Sequence, residues 1–481
     1  MLQIGRNILS LIVSRIIAGV ILFLVYTQLA QYLGPTVTGQ YGLLAAYVTV
    51  FNFFIDLGMS QLVIKKISED RAHAEKYLGN YFVIQTILAV VFVGIMNAVV
   101  FINDYPVDVK NALYMASLGL FLSTLSLPLR SVVSAFQRLT IMAGINFFNS
   151  LINASMMVLA IVFRQNLFFL SLISVAVGLF DLIVYSILVN KRYVRLKPAF
   201  DFQFWKQLIL MNAPFIFLTF FSIYNRIDTL LLPKFRDFVE TGYYTAAYKF
   251  WDVLAFLPAV VGVSLYPFFA EALSKNLKDY AKEGLETYSR YMIALAVPLS
   301  IGAFILAKPI TLAFYGETFM PAANALWLLV LAVSLLIIYS PVNSLIISQM
   351  TKTAMKITGF NLFYNLAANI ILLPRFGFVA SAAITVGSEI IQLLAYTYVV
   401  NKKIIRYNFF RYFIKPLIAG GIMAVALILL AGRNVWLLIA VGALAYSVSL
   451  LLLKFFHRQD WDLFKAAVNI RKSVDVKTET V

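Results

Sequence analysis

Long apolar runs, each closed by a charged or Gly/Pro break, dominate the chain from Ile8 to Leu453. A helix needs about 20 apolar residues to cross the hydrocarbon core of a bilayer. Fourteen runs meet that length, at about 8–33, 38–63, 79–102, 111–136, 140–163, 166–189, 207–232, 241–270, 285–306, 322–347, 352–373, 377–400, 411–430 and 434–455. The breaks are of recognisable chemistry, such as Leu33-Gly34-Pro35, Asn103-Asp104-Tyr105-Pro106 and Pro374-Arg375-Phe376-Gly377. The pattern predicts an all-α integral membrane protein of about 14 transmembrane helices.

The polar positions set the topology. Cytoplasmic loops carry the excess Lys and Arg. With the N-terminus placed inside, the even-numbered loops, together with the span ends beside them, and the two tails hold 29 of the 39 Lys and Arg residues. The odd-numbered loops hold 7, and Arg15, Arg226 and Lys249 lie within spans. A missed helix would scramble this alternation, so both termini are predicted to be cytoplasmic. The richest basic loops, 190–206 and 401–415, follow helices 6 and 12 and divide the chain into six, six and two. That division predicts an N-lobe at 1–200, a C-lobe at 201–405, two further helices at 406–456 and a polar cytoplasmic tail at 457–481.

Two internal echoes support a six-helix repeat. Thr38-Gly39-Gln40-Tyr41 opens helix 2 and Thr241-Gly242-Tyr243-Tyr244 opens helix 8. Phe148-Asn149 with Asn153 in helix 5 matches Phe360-Asn361 with Asn365 in helix 11. Both pairs are six helices apart. Parallel repeats of this kind place a substrate site between the halves.

Composition agrees with the pattern. Only 13% of the 481 residues are charged and 62% are hydrophobic, against roughly 25% charged in a soluble domain. The net charge of +17 would suggest nucleic acid in a soluble chain, but here it follows the loops. There is no cysteine, and His73 and His457 both lie in charged surface segments. Disulfides and cysteine metal sites are excluded, and a histidine metal site or catalytic triad is not predicted. No Walker loop, nucleophile elbow or HExxH motif is present, and no outer loop is long enough for a catalytic domain. No cofactor is predicted; energy would come from an ion gradient, H+ or Na+, or from the substrate gradient. The first apolar run is too long for a cleavable signal and reads as the first span.

Ionisable groups inside spans cost about 2.5–3.5 kcal/mol each on insertion scales and face a cavity or a partner. The candidates are Arg15, Asp56, Asp181, Arg226, Asp228, Lys249, Asp252 and Glu389. Lys249 and Asp252, three apart, share a helix face and either line a cavity or form an internal ion pair. Arg15 and Asp56 lie toward the cytoplasmic side of helices 1 and 2, where Arg15 either receives a phosphate or pairs with Asp56. Arg226 and Asp228, two apart, point to different sides; Arg226 either faces a cavity or snorkels to the outer interface. Asn361, Asn365 and Asn369 form one polar stripe, and Asn146, Asn149 and Asn153 another. Such amides either bind sugar hydroxyls or join helices by hydrogen bonds.

The segment Leu33-Gly34-Pro35 to Gly39, Tyr41 and Gly42, followed by Phe54-Ile55-Asp56-Leu57-Gly58-Met59-Ser60 and Lys65-Lys66, resembles the opening of the polysaccharide-transport (O-antigen, Wzx-like flippase) family. The likeness continues from Asp228 through Gly242-Tyr243-Tyr244 to Lys249, and from Asn361, Asn365 and Asn369 through Pro374, Gly377 and Ser381 to Ser388-Glu389. It implies membership of the superfamily that also holds lipid II flippases and multidrug antiporters, with two six-helix lobes around an alternating-access cavity. It further implies an undecaprenyl-pyrophosphate-linked oligosaccharide as substrate, carried for O-antigen, capsule or exopolysaccharide synthesis across the bacterial inner membrane. Membrane lipid and polysaccharide polymerase or assembly proteins are the implied partners, with no nucleic acid. Arg15, Arg226 and Lys249 would be the cavity cations, with Asp56, Asp228, Asp252, Asn361 and Asn365 beside them. The rival readings are a cation-coupled multidrug antiporter, a membrane enzyme, and a scaffold of polysaccharide assembly.

Overall fold

The computed structural model describes residues 2–220, 224–456 and 460, without the side chains of 2–18, 139, 213–215, 217–220, 224–226 and 263. The described residues form α1 (Leu2–Asp56), α2 (Met59–Glu69), α3 (Ala74–Ile102), α4 (Val107–Ala135), α5 (Leu139–Val162), α6 (Leu167–Arg192), α7 (Phe202–Phe220), α8 (Tyr224–Phe235), α9 (Phe238–Leu254), α10 (Phe256–Ser274), α11 (Lys278–Tyr315), α12 (Ala323–Phe376), α13 (Phe378–Lys403), α14 (Ile414–Leu429) and α15 (Val435–Leu452). Short 3₁₀ turns join some of them, and there is no strand among the described residues. The reason is solvation. In hydrocarbon each N–H and C=O must find its partner within the segment, and a helix achieves this.

Eleven helical stretches among the described residues are long and apolar enough to cross a membrane. Two of them each hold two of the predicted spans. α1 continues through the Gly34-Pro35 break with Gly34 alone non-helical, and α12 joins spans 10 and 11 across a kink at Met350. The predicted seventh span corresponds to α7 and α8, which flank the undescribed residues 221–223. Each of the fourteen predicted runs therefore meets a helix.

Several boundaries differ from the pattern. The predicted helix 2, 38–63, is interrupted where Leu57 and Gly58 take positive φ (47° and 77°). Helix 8 divides at Ala255 into α9 and α10. α11 begins before the apolar run at 285–306, because its first turns are polar but still helix-forming, and it continues past that run through Lys308 and Pro309 to Tyr315. Hydropathy sees the lipid-spanning core of a helix and not its wet ends.

The chain groups into two compact units. One comprises Met1–Phe256, Thr311–Leu329 and Met350–Gln392; the other comprises Leu257–Ile310, Val330–Gln349 and Leu393–Val481. In the first, α2, α3, α4 and α6 bury Leu62, Ile67, Leu78, Tyr81, Val132 and Tyr185 as one apolar cluster. A second cluster joins α1 to α3 and α4 through Leu43, Ile55, Met96, Val100, Leu113 and Leu120. Between helices already surrounded by apolar lipid, close packing holds the interface, and small residues allow the nearest approach.

The tightest approach in this unit falls on the sequence echo. A side-chain carbon added at Gly39 would overlap the backbone of Phe238 and Gly242, and one added at Gly242 would overlap the carbonyl of Pro35. The glycines of Thr38-Gly39 and Thr241-Gly242 thus occupy a single crossing of α1 with α9. Thr245, one turn on, packs its side chain against Gly42.

In the second unit, α11, α14 and α15 pack together. Tyr446 donates its hydroxyl to the carbonyl of Ala294 at 2.8 Å, and Gly420 lies against Val297 and Ile301. Asn434 caps α15 by accepting from the Trp436 amide at 2.9 Å.

Candidate functional site

Lys249 and Asp252 lie on the last turns of α9, on one face, as their spacing predicts. Their Nζ and Oδ2 are 3.6 Å apart, and both side chains are about one-third exposed, at 30% and 31%. The Lys249 ammonium also sits over the ring of Tyr26 on α1, 4.6 Å from its centroid. A compact ammonium held by a long ion pair and a ring face, and still reachable, can exchange its carboxylate for another oxyanion. Nothing in the sequence marked Tyr26, which lies on a distant part of the chain and meets Lys249 only through the α1–α9 crossing.

Asp228 on α8 is only 2% exposed. Its carboxylate accepts from the Thr229 amide at 2.7 Å and from the Tyr244 hydroxyl of α9. Burial of a carboxylate demands such donors. Tyr244 was legible only as part of an echo motif. Asp228 lies on α8 and Lys249 on α9; the first contacts Thr229 and Tyr244, the second Asp252 and Tyr26.

Asp56 ends α1 and accepts from the Ser60 amide at 3.0 Å, the Ser60 hydroxyl at 2.7 Å and the Tyr81 hydroxyl at 2.9 Å. It satisfies a free amide at the start of α2, the role of a helix-capping carboxylate. The side chains of Arg15 and Arg226 lie outside the described residues, as does His457. The predicted Arg15–Asp56 pair is therefore not described; the contacts seen at Asp56 are these three. Asp56→Asn, which keeps an accepting oxygen, is expected to hold thermal stability within about 0.5 kcal/mol, while Asp56→Ala loses about 1 kcal/mol. Melting of the purified protein checks this.

The asparagine stripe joins helices. Asn365 donates to the Ser388 hydroxyl at 3.1 Å, Asn369 donates to the Asn365 side-chain oxygen at 3.1 Å, and Ser381 donates to Asn369 at 2.7 Å. These bonds lace the end of α12 to α13. Asn361 continues the stripe: it is fully buried, and neither end of its amide has a hydrogen-bond partner among the described residues. On helix α5 the equivalent Asn149 donates to Asp181 of α6 at 2.8 Å. Asn149 and Asn365 thus each bond to the next helix. A double-mutant cycle of Asn365→Ala with Ser388→Ala is expected to show a coupling of about 0.6 kcal/mol, the usual size inside a membrane. Additive losses of stability would mean that the two groups do not interact.

Glu389, one position beyond Ser388, is also fully buried. At the turn between α12 and α13, Glu240 accepts from the Phe378 amide at 3.0 Å and from Arg236 at 2.8 Å. The Arg236 guanidinium is held above its ordinary pKa by this carboxylate. No group of three or more His, Cys, Asp or Glu is placed to hold a metal among the described residues.

Against known protein families, the model of the polysaccharide biosynthesis protein family matches residues 4–273, more than half of the chain. The chain belongs to the polysaccharide biosynthesis protein family. The match takes in Asp56, Asp228, Lys249, Asp252 and both glycines of the α1–α9 crossing. An uncharacterized membrane protein of Methanocaldococcus jannaschii is 23% identical over 183 residues, 37% of this chain and 36% of that one. The chain is thus matched to about a third of that relative's length. Among solved structures, the lipid II flippase MurJ in an inward closed conformation superposes with a TM-score of 0.72 at 16% identity, covering 93% of this chain and 98% of that one. A point mutant of the Vibrio cholerae MATE transporter VcmN gives 0.54 at 13% identity, covering 84% and 99%. An inward-facing multidrug resistance MATE transporter of the MOP superfamily gives 0.54 at 13%, covering 79% and 93%. At these identities the likeness is one of fold. A polysaccharide biosynthesis family member here has the multi-pass helical fold of the MurJ and MATE transporters.

Proposed function

We propose that this protein is a flippase for polyprenyl-pyrophosphate-linked oligosaccharide. The observation that carries the reading is the family match across 4–273 on a chain with a transporter fold. In this reading the glycan repeat unit and its pyrophosphate enter from the cytoplasmic face while the polyprenyl chain stays in lipid, and the two six-helix lobes rock to expose the head group outside. Lys249 receives the pyrophosphate, exchanging Asp252 for it while the Tyr26 ring holds the ammonium in place; Arg15 and Arg226 are the further cations. Asn361, fully buried and without a hydrogen-bond partner among the described residues, would meet a sugar hydroxyl once the lobes part. Both termini are cytoplasmic in a bacterial inner membrane, H+ or Na+ couples the cycle, and the product feeds a surface polysaccharide such as O-antigen, capsule or exopolysaccharide. No covalent chemistry on the glycan is part of the proposal.

The test is deletion of the gene in its host, with polyprenyl-linked sugars analysed by mass spectrometry and their sidedness read with a non-permeant reagent. A completed repeat unit trapped on the cytoplasmic leaflet is the expected result. Unchanged amount and sidedness, in a strain with no second flippase, would overturn it. Loss of drug efflux in the same deletion would favour cation-coupled drug antiport, which the MATE fold also serves.

A further inference from the structure

Two cavities, of about 570 and 540 Å³, lie at one end of the second unit and adjoin through Glu286 and Arg411, which line both. They open at the start of α11, between the loop 404–413 and the beginning of α14. This is the end that the Lys and Arg distribution marks as cytoplasmic. Five cations line the pair: Lys282, Arg290, Arg406, Arg411 and Lys415. Among the described residues only two carboxylates do, Glu283 and Glu286.

The cations are incompletely matched. Arg411 donates to Glu286 at 2.8 Å and to the Tyr412 hydroxyl. Lys415 donates to the backbone carbonyl of Lys454 at 2.8 Å, a partner that carries no charge. Lys282 and Arg406 form no ion pair among the described residues. Arg290 is only 8% exposed. One of its terminal nitrogens meets Asp460 at 2.5 Å, yet its buried Nε has no hydrogen-bond partner among the described residues. A buried guanidinium N–H without an acceptor is costly, and it lines a cavity large enough to hold one.

Apolar surface continues from the rim. Phe410, Ile414, Leu417 and Ile418 are 71%, 62%, 52% and 48% exposed on the loop and on the outward face of α14. A cationic recess at the interface with open apolar surface below it matches a molecule with a phosphate at one end and acyl chains at the other. Guanidinium forks suit phosphate oxygens, and basic pockets between membrane helices on the cytoplasmic side bind anionic head groups.

We infer that this recess is a binding site for the phosphate head group of an anionic membrane lipid, held by Arg406, Arg411 and Lys415 with Arg290 at its floor. A free phosphate would use the same cations, but it would leave the apolar rim without a purpose. The site lies within one unit and includes neither Lys249 nor Asp252. Lipid binding there is measured without transport, so it stands or falls independently of the flippase reading.

The experiment is native mass spectrometry of the full-length protein in detergent, titrated with phosphatidylglycerol or phosphatidylcholine. Retention of phosphatidylglycerol is expected to exceed that of phosphatidylcholine by about 10-fold, and the double variant R406Q/K415Q is expected to remove most of that preference. The charge-keeping double variant R406K/K415R, with an unchanged melting temperature, should retain it. Equal retention of the two lipids overturns the proposal. So does a preference that survives R406Q/K415Q. Displacement of phosphatidylglycerol by millimolar inorganic phosphate overturns the lipid as the occupant.

Discussion

Replacing Gly242 by alanine is expected to destabilise the protein by about 3 kcal/mol or more, at or beyond the top of the range for overpacking. Helix propensity alone predicts the opposite sign, since alanine is favoured over glycine in a helix interior by about 1 kcal/mol. The clash wins because the atom in the way is the carbonyl of Pro35. A backbone atom cannot turn aside as the end of a side chain can. Its displacement would carry the turn at Gly34-Pro35 with it and part α1 from α9. Gly39→Ala meets the backbone of Phe238 and should fail to a similar degree, and the double variant should be no worse than additive. Gly144→Ala is the control, with nothing within 4 Å of the added carbon. Yield and melting temperature of detergent-solubilised protein decide the matter. A Gly242→Ala protein as stable as wild type would show that the two helices do not cross at this distance.

Lys249→Ala is expected to reduce transport of the lipid-linked oligosaccharide by about 10- to 100-fold, the scale of one lost charge-assisted contact of about 1.5–3 kcal/mol. Stability should change much less, because the side chain is one-third exposed and its ion pair long. Asp252→Asn gives the more diagnostic result. If Asp252 only neutralises Lys249 until substrate arrives, removing its charge should leave transport intact or raise apparent affinity. If the pair is a structural lock, Asp252→Asn and Lys249→Ala should fall together in stability and in transport. Sidedness of the accumulated repeat unit in cells, with melting measured on the purified variants, separates these outcomes.

The tandem glycines also show how far a sequence carries. Fourteen apolar runs, their breaks and the alternating charge of the loops were legible because each is local: a span is a length of apolar residues, and lipid forces that length into a helix. The shared face of Lys249 and Asp252 was legible for the same reason, since it depends only on 3.6 residues per turn. The family was legible from ordered motifs.

Other features depended on which helices meet. The echo of Thr38-Gly39 and Thr241-Gly242 was visible, but that the two copies pack against each other was not. The need for glycine there comes from a carbonyl some 200 residues away in the chain. Asp56 read as a candidate cavity carboxylate because hydropathy ran a single helix through it; the break at Leu57-Gly58 turns it into a cap for α2. Asp228 acquires Tyr244, and Lys249 acquires Tyr26, only through contacts between α8, α9 and α1. Asn365 and Asn361 look alike in the stripe, yet α13 presents Ser388 to the first.

By itself, then, the sequence determined the membrane class, the order of the apolar runs that become helices, the shared face of Lys249 and Asp252 and the family. The tertiary structure alone decided which buried polar groups are satisfied by a neighbour and which have no hydrogen-bond partner among the described residues. The physical reason is that periodicity and hydropathy act along the chain, whereas a hydrogen bond or a clash is set by atoms that distant segments bring within a few ångströms.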